Sequence, residues 1–563
     1  IAPAAWRRVS GNLFSAPWPG EYRSANNQSD QVFLDGKILN LARWPRESNN
    51  DLTRPRQATV DRVLTSQDTG QKTPGPGYPI YRTTFVDAEF DAPDGVWDGA
   101  KIWINSGGAH DEHDGNGQTG IVISTNRSRH EITVEVDAGA MPGEEKPRNF
   151  RFGKGSAYYL FDPTSAKGLM FDGQWWRDRK NNRLLIRMPG GRSPSTRNVE
   201  VRQRDWAFDL DGLSHITVQG FELFATSITT DAAAGDGRGN GGNRRESIAP
   251  AHHIVLDGIK ARYVTHFTDQ TGDLQTQWSQ SSGIILSGSD LVIRNSEIAW
   301  SAGCGLVMIG QRNKAINNIV HDTNYTATDG GAIGLGVRNW THSFDHEVAY
   351  NTVYNTGIDG IEFGSLKNST ANIQDIRARI HHNLVHDTVL QSADSGAMHT
   401  FASDGQWTRI DHNVIYNTGP HPDAYLYFGI YLDYAPDDGK TPARYVVDHN
   451  VIYTTPSPIN LNHANTDFIF NNTLISSMAV ARAPLHSNGG SFNGVQIKNN
   501  LANREFRGIG PEAVLQNNRT DATADFYRDA LNPNLRLRDY RLKPGSPAIN
   551  AGTDVAPFNG NTI

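Results

Sequence analysis

The sequence is poor in cysteine, in long apolar runs and in excess charge of either sign. Among its 563 residues Cys304 is the single cysteine, which excludes an internal disulfide and a cysteine-based zinc site. No apolar run approaches the length of a membrane span. The 53 basic and 60 acidic residues give a formal charge of -7, which offers no basic surface to nucleic acid. We therefore expect a protein that binds neither nucleic acid nor membrane.

Several common catalytic motifs are missing as well. The absence of an HExxH helix, a Walker phosphate loop and a nucleophile elbow leaves metalloprotease, nucleotide and serine-hydrolase functions without support. Glycine, with 55 residues, and asparagine are plentiful, which is typical of a turn-rich all-β protein. The sequence begins at Ile1 without a methionine. We interpret the chain as a processed protein that is secreted or periplasmic.

A short repeat runs through the second half of the chain. An asparagine, a variable residue, an aliphatic residue and then Tyr, His or Ile recur, with the asparagine at Asn318, Asn351, Asn383, Asn413, Asn450 and Asn472. Successive asparagines are 33, 32, 30, 37 and 22 positions apart, so the repeats carry loops of different length. Stacked strands allow such asparagines to hydrogen-bond along one ladder. The pattern predicts an all-β, right-handed parallel β-helix, a solenoid of the pectate-lyase-like kind.

The sequence divides into three regions. Residues 1–200 have a β-like but non-repetitive pattern, which predicts a β-rich domain packed on the end of the solenoid. Within it, Asp35-Gly36 between two apolar segments indicates a two-residue hairpin. Residues 201–525 form the predicted β-helix with a catalytic groove. Residues 526–563 lack the repeat and are predicted to close its last coil, because an open end would expose strand edges.

Acidic residues recur beside the second strand of successive repeats. Because alternate residues of a strand face opposite sides, apolar Ile430 and Leu432 predict that the residues between and after them point outward. The same alternation turns six polar side chains outward, namely Glu362, His399, Tyr431, Asp433, Asn460 and Asn462. Three aspartates precede such strands at the corner, Asp329, Asp359 and Asp394. One face of the solenoid should therefore gather five carboxylates.

This spacing suits hydrolysis of a glycosidic bond. Coils stack about 4.8 Å apart. A retaining glycosidase needs two carboxyl groups about 5–5.5 Å apart and an inverting one about 6.5–9.5 Å. An aspartate before glycine at a corner is also an ordinary turn residue, a reading that applies to Asp329 and Asp359. It applies less to Glu362 and Asp433, which lie in mid-strand.

Aromatic and basic side chains in the same repeats add candidate contacts to a sugar. Aromatic faces suit stacking on pyranose rings, for which Tyr431 and Trp407 are candidates, although several such rings will simply pack the loops. His399 and His463 are candidates to hydrogen-bond hydroxyl groups or to assist a proton transfer, although a lone histidine is usually structural. Arg338 lies off the strand centres and is a further candidate for substrate binding.

The segments ADSGAMHTFASDGQWTRIDHNVIYNT and GIYLDYAPDDG resemble right-handed parallel β-helix repeat proteins that include bacterial glycoside hydrolases. The chain is most similar to glycoside hydrolase family 141, which holds fucosidase and xylanase activities, and families 120 and 136 are similar in architecture. The resemblance implies Asp394, in a D-x-G-A corner, and Asp433, in a Y-L-D strand, as catalytic partners. Our alignment places Asp394 several residues before the level of Asp433, so Glu362 is kept as a rival partner.

The sequence therefore predicts a monomeric glycoside hydrolase that cleaves an oligosaccharide or polysaccharide. Catalysis would use two of the three carboxylates at positions 362, 394 and 433, with Asp329, Asp359 and His399 positioning the substrate. A polysaccharide lyase acting on a uronate is the first alternative, and a non-catalytic glycan-binding solenoid is the second. No metal ligand or required cofactor is assigned. Binding of Ca²⁺ by the acidic loop Asp437-Asp438-Gly439 is kept as an alternative.

Overall fold

The structure is a computed structural model. It describes residues 1–19, 30–47, 51–73, 79–105, 117–137, 153–231, 250–268, 283–328, 330–335, 343–364, 374–401, 403–419, 426–433, 443–477 and 483–555. The helices within these ranges are 3₁₀ turns of three residues, at Pro3–Ala5, Arg127–Arg129, Ala166–Gly168, Pro189–Gly191, Pro194–Thr196, Ala524–Phe526 and Leu535–Leu537. None of the described helices is long and apolar enough to cross a membrane. The predicted all-β class is confirmed.

The first 201 residues form three small sheets. One has five strands, Arg7–Ser10, Leu13–Pro17, Arg183–Arg187, Gln174–Asp178 and Asn40–Leu41. A second has eight, Arg43–Trp44, Ala58–Thr59, Ala157–Phe161, Lys101–Asn105, Gly117–Asn126, Glu131–Asp137, Pro79–Val86 and Arg62–Lys72. The third joins Val199–Val201, Val32–Leu34 and Lys37–Ile38. The last two of these are the predicted hairpin, whose turn residues Asp35 and Gly36 both have positive φ.

From Trp206 to Gln516 the described strands follow one another in threes, and each pairs in parallel with the corresponding strand of the next three. The first column contains Thr217–Gln219, Val255–Asp257, Val292–Arg294, Lys314–Ile316, Ser343–Ala349, Gln374–His381, Thr408–Asp411, Tyr445–Asp448, Phe468–Phe470, Gln496–Lys498 and Val514–Gln516. The second contains Glu222–Phe224, Lys260–Thr265, Glu297–Ser301, Ile319–Thr323, Thr352–Thr356, Leu384–Thr388, Val414–Thr418, Val451–Thr455, Thr473–Ser476 and Leu501–Ala502. The third contains Trp206–Asp209, Ser227–Thr229, Ile284–Ser289, Leu306–Gln311, Ile333–Leu335, Ile361–Phe363, Ser395–Phe401, Tyr427–Asp433, Ser457–Asn462 and Leu485–Gly489. A short strand, Ser403–Asp404, follows Ser395–Phe401 of the third column and pairs with Gln374–His381 of the first column. We call three successive strands, one from each column, a coil.

The asparagines of the repeat form a buried ladder between the first and second columns. The Oδ1 atom of Asn413 accepts hydrogen bonds from the backbone N–H of Asn383 at 2.9 Å and from its Nδ2 at 3.0 Å. Asn413 in turn donates from Nδ2 to the carbonyl of Ile380 and to Oδ1 of Asn450. All six predicted asparagines take part, and Asn500 and Asn518 extend the ladder. Each asparagine thus ties three coils together.

Apolar side chains from all three columns fill the space enclosed by the coils. Ile361, Met398, Ile430, Leu432 and Ile459 all belong to this core. The alternation predicted for the third column is therefore confirmed on its inner side. Each coil buries its apolar residues against the coil before it and the coil after it, as in other repeat proteins.

The N-terminal sheets lie along the flank of the coils, where the second column bends into the third. Trp103 donates from Nε1 to the carbonyl of Thr326 at 2.9 Å, and Asn105 donates from Nδ2 to the carbonyl of Gln391. The position differs from the expected packing on the end, because these contacts belong to different coils. The C-terminal strands Tyr527–Asp529 and Asp539–Leu542 pair antiparallel, and their aromatic rings pack on the outer side of the second column.

We predict that Asn413→Ala lowers the free energy of unfolding by about 2–3 kcal/mol, because it leaves the buried N–H of Asn383 without an acceptor. Asn181→Ala is the matched control, since Asn181 is exposed and bonds Asp178 in a surface turn where water replaces the lost contact. The measurement is the denaturant midpoint of each variant. Equal midpoints for the two variants would contradict a stabilising role of the ladder.

Candidate functional site

A row of polar side chains runs across the third column at one level. Glu362 pairs in register with His399, His399 with Tyr431, Tyr431 with Asn460, and Asn460 with His486. Their neighbours along each strand point into the core, so these side chains face outward. We call these five residues the polar row. Adjacent members belong to adjacent coils and are therefore about 4.8 Å apart along the backbone.

His399 is the centre of this row. Its Nδ1 lies 3.0 Å from Oδ2 of Asp359, and its Nε2 lies 3.9 Å from Oδ2 of Asp433, beyond hydrogen-bonding distance. Burial lowers the pKa of His399, but the two carboxylates outweigh it and raise the pKa well above its ordinary value. Asp359 also accepts a hydrogen bond from the backbone N–H of Gly396 at 2.8 Å. The imidazole of His399 therefore stands between two aspartates, which favour its protonated form.

Tyr431 connects the row to the corner aspartate of the preceding coil. Its hydroxyl donates to Oδ1 of Asp394 at 3.2 Å, and its ring stacks on His399 at 4.9 Å and 9°. Burial, followed by the charges of Asp394 and Asp433, raises the pKa of Tyr431 well above its ordinary value. Asp394 has a left-handed backbone with φ of 56°, which forms the corner entering Ser395–Phe401. Both aspartates thus act on one hydroxyl group, although they differ in strand level.

Glu362 lies on the coil before His399. Its side chain is 5% exposed, and Oε2 accepts the backbone N–H of Gly331 at 3.0 Å. A Cβ atom built on Gly331 would lie 2.9 Å from Cβ of Glu362, so only glycine admits this carboxylate so close to the preceding coil. Glu362 and Asp359 thus each accept a backbone N–H, Asp359 also contacts the imidazole of His399, and Asp394 accepts the hydroxyl of Tyr431.

Amide side chains continue the site on the following coils. Asn462 donates from Nδ2 to Oδ1 of Asp433 at 2.6 Å. Oδ1 of Asn460 lies 3.0 Å from Nδ1 of His486. The Nδ2 of Asn460 is buried and has no hydrogen-bond partner within the described part of the chain. This amide is a donor directed at the outer side of the row.

The structure brings together six of the predicted residues, namely Asp359, Glu362, Asp394, His399, Tyr431 and Asp433. Trp407 is not among them: its ring stacks on Phe468 at 5.4 Å beside the first column. His463 forms the left-handed turn directly after Ser457–Asn462. Asp329, Arg338 and the acidic loop at 437–439 lie outside the described residues.

The alternation in the sequence also turned Asn460 and Asn462 outward but assigned them no role, and it did not reach His486. Each of the three lies in a strand that continues the alignment of the third column. Extending the same alternation by one more coil identifies His486. The ring faces of Tyr431 differ from the expected sugar platform, because His399 covers one of them and Phe428 lies 4.2 Å from the ring.

No family model matches the chain, and no curated protein matches it. A solved glycoside hydrolase superposes with a TM-score of 0.45 at 12% identity, covering 92% of this chain and 81% of that one. A complex of XylC with xylose gives 0.33 at 14% identity, covering 94% and 66%. An alginate lyase from a Paenibacillus species gives 0.21 at 13% identity, covering 55% and 93%. Structural similarity this low supports no conclusion about activity. Membership of glycoside hydrolase family 141 stays a prediction.

We predict that Asp359→Asn lowers the pKa of His399, because it removes one of the two charges that raise it. The stabilisation from protonated His399 is fully present below its ordinary pKa of 6.5 and is lost as the pH rises through the raised value. The variant should therefore lose more stability at about pH 6 than at about pH 9. The measurements are an NMR titration of ¹³C-labelled histidine and unfolding midpoints at both pH values.

The matched control for this titration is Asp525→Asn, since the Asp525 side chain is 94% exposed and lies in the C-terminal segment. It should leave the resonance of His399 unchanged. A His399 pKa that is the same in the wild type and in Asp359→Asn would contradict the assigned ion pair.

Proposed function

We propose that the protein is a glycoside hydrolase built on a right-handed parallel β-helix, and that it acts on an oligosaccharide or polysaccharide at the polar row. The observation that carries the proposal is the arrangement of Asp359, His399 and Asp433, with Asp394 reaching the same place through Tyr431. Two carboxyl groups close to one another are the machinery that glycosidic-bond cleavage requires. The resemblance to family 141 supports the same class.

Asp433 is the proposed nucleophile or base. Its Oδ1 accepts a hydrogen bond from Nδ2 of Asn462 at 2.6 Å, and its Oδ2 lies 3.9 Å from Nε2 of His399. In a retaining reaction Asp433 attacks the anomeric carbon, and in an inverting reaction it takes a proton from water. Asp359 does not reach the sugar in this scheme; it holds His399 in place and keeps it protonated.

Asp394 is the proposed general acid, which protonates the leaving oxygen. Its partner Tyr431 stays a neutral hydroxyl, because the raised pKa of Tyr431 opposes ionisation. Tyr431 can therefore hold either form of Asp394 by hydrogen bonding. Glu362 is the rival acid, since it faces the same row from the other side of His399. The two assignments differ in which coil contacts the leaving group.

A polysaccharide lyase is the second candidate, and the stacked pair His399–Tyr431 is the observation that favours it. A lyase needs a cation to neutralise a uronate and a base to remove the C5 proton. Protonated His399 could supply the charge. The raised pKa of Tyr431 makes it a poor base, and the surrounding carboxylates repel an anionic sugar. Hydrolysis is therefore the better supported reaction.

A non-catalytic glycan-binding solenoid is supported least. Tyr431 is 3% exposed and its ring is covered, so it offers no open platform for a sugar. A binding surface also gains nothing from several carboxylates held close together. We further propose that the enzyme is secreted or periplasmic, acts as a monomer and requires no cofactor, with Ca²⁺ at the acidic loop 437–439 as an open addition.

We predict that Asp433→Asn lowers kcat roughly 10²–10⁴-fold on a glycan that the wild type cleaves, since it removes the attacking or proton-accepting carboxylate. Asp394→Asn and Glu362→Gln distinguish the two candidate acids. The variant that lacks the general acid should lose most of its activity on substrates with poor leaving groups and little of it on activated aryl glycosides. The measurement is release of reducing ends, read together with the ultraviolet absorbance of an unsaturated product.

Asp525→Asn serves again as the control and should keep full activity. Reducing ends without absorbance, lost in Asp433→Asn, support the hydrolase. Absorbance that rises with cleavage identifies a lyase instead. Full activity in all three amide variants would sink the proposal that the polar row is the catalytic site.

A further inference from the structure

Three histidines meet on the first column, away from the polar row. His215 lies on one coil, and His252 and His253 lie on the next. One ring nitrogen from each lies within 4.8 Å of the others, and Nδ1 of His252 is 3.0 Å from Nδ1 of His253. Backbone pairing brings the three residues together, because Ser214 pairs with His252 and the next residues, His215 and His253, therefore lie at the same level.

The two coils present their rings in the same way. His215 and His253 both have left-handed backbone, with φ of 57° and 53°, and their rings stack at 5.0 Å. Both are exposed, and His252 is half-buried between them. A solute therefore has access to the ring nitrogens, while the paired strands hold the three Cα atoms in place.

A second group of histidines shows what distinguishes this cluster. His382, His412 and His449 stack on successive coils with nearly parallel rings. There, Nδ1 of His412 lies 2.9 Å from Asp411 and Nδ1 of His449 lies 2.7 Å from Asp448, so carboxylates occupy those nitrogens. In the other cluster, within the described residues, the ring nitrogens face one another and hydrogen-bond no carboxylate.

The nearest acid in register is already engaged. Asp290 follows His253 on the next coil, and Arg312 donates to both of its oxygens at 2.8 and 2.7 Å. The histidine cluster therefore offers three imidazole side chains as possible metal ligands. Such a set suits a borderline metal ion that prefers imidazole, and it does not suit Ca²⁺ or Mg²⁺, which prefer oxygen.

We propose that His215, His252 and His253 bind one Zn²⁺ ion, with water as the fourth ligand. Tetrahedral zinc with metal–nitrogen bonds of about 2.0–2.1 Å holds its ligand nitrogens about 3.3 Å apart. The two Nδ1 atoms are already close to this separation, and side-chain rotation brings in the third. Bound zinc would join two coils at the beginning of the first column and stabilise them by linkage.

The test uses the full chain, prepared without a histidine tag and freed of metal. Titration with Zn²⁺ in a calorimeter should give one tight site per chain. His252→Gln and His253→Gln should each weaken it roughly 100-fold, as expected for loss of a ligand. His412→Gln is the matched control, because His412 is also a partly exposed, stacked histidine on the first column, and it should leave binding unchanged.

Co²⁺ provides a readout on the wild type that needs no variant. Bound in the same site, it should give the intense visible absorption of tetrahedral cobalt, and Zn²⁺ should abolish that absorption. Zinc binding should also raise the melting temperature of the wild type and not that of His253→Gln. Wild-type cobalt spectra of octahedral type, or zinc binding equally strong in the glutamine variants, overturn the proposal. Loss of binding in His412→Gln alone would move the site to the other stack.

Discussion

The buried hydrogen bonds of the asparagine ladder determine which residues face one another in successive coils. A buried amide without partners costs about 1–3 kcal/mol, and each ladder asparagine satisfies its own amide only when the neighbouring asparagine stands at the same level. A slip of one residue would break these bonds and turn every outward side chain inward. The spacing of 18 to 37 residues between ladder asparagines varies without effect, because the extra residues leave as loops.

The polar row depends on that register. Glu362, His399 and Tyr431 are distant in sequence and meet because three coils present the same level of the third column. Holding several carboxylates there is unfavourable unless each has a partner. Protonated His399 supplies the opposing charge for Asp359 and Asp433. This interaction holds the two aspartates and the imidazole together at the centre of the polar row.

Much of the fold was predictable from the sequence because its determinants are local. The asparagine pattern predicted the ladder, and the alternation around Ile430 and Leu432 predicted the inner and outer sides of the third column. Asn500 and Asn518 were missed because the residues after them depart from the aliphatic and aromatic pattern of the other repeats. The packing of the N-terminal sheets along the flank depends on single contacts such as that of Trp103, which no local pattern reveals.

The site was predictable in its members but not in its pairings. Asp359 and His399 are 40 residues apart, and their contact depends on the exact depth of a corner aspartate beside a strand. Tyr431 was expected to stack on a sugar, but a ring in register with His399 stacks on that histidine instead. Gln406 and Trp407 both have left-handed backbone at a turn, and the ring of Trp407 stacks on Phe468. In the histidine cluster, His215 is far from His252 and His253 in the sequence, so no short motif predicts that the three side chains meet.

Low exposure gives the row its chemical character. Glu362, Tyr431 and Asp433 are 5%, 3% and 9% exposed, so water screens the electrostatic interactions among these side chains only weakly. The backbone fixes the N–H of Gly331 that Glu362 accepts, and the side chain of Asn462 donates to Asp433, so both carboxylates are held in position. Because each coil contributes one outward residue at each level, a single substitution changes the row without disturbing the ladder. Specificity can therefore change coil by coil while the fold is retained.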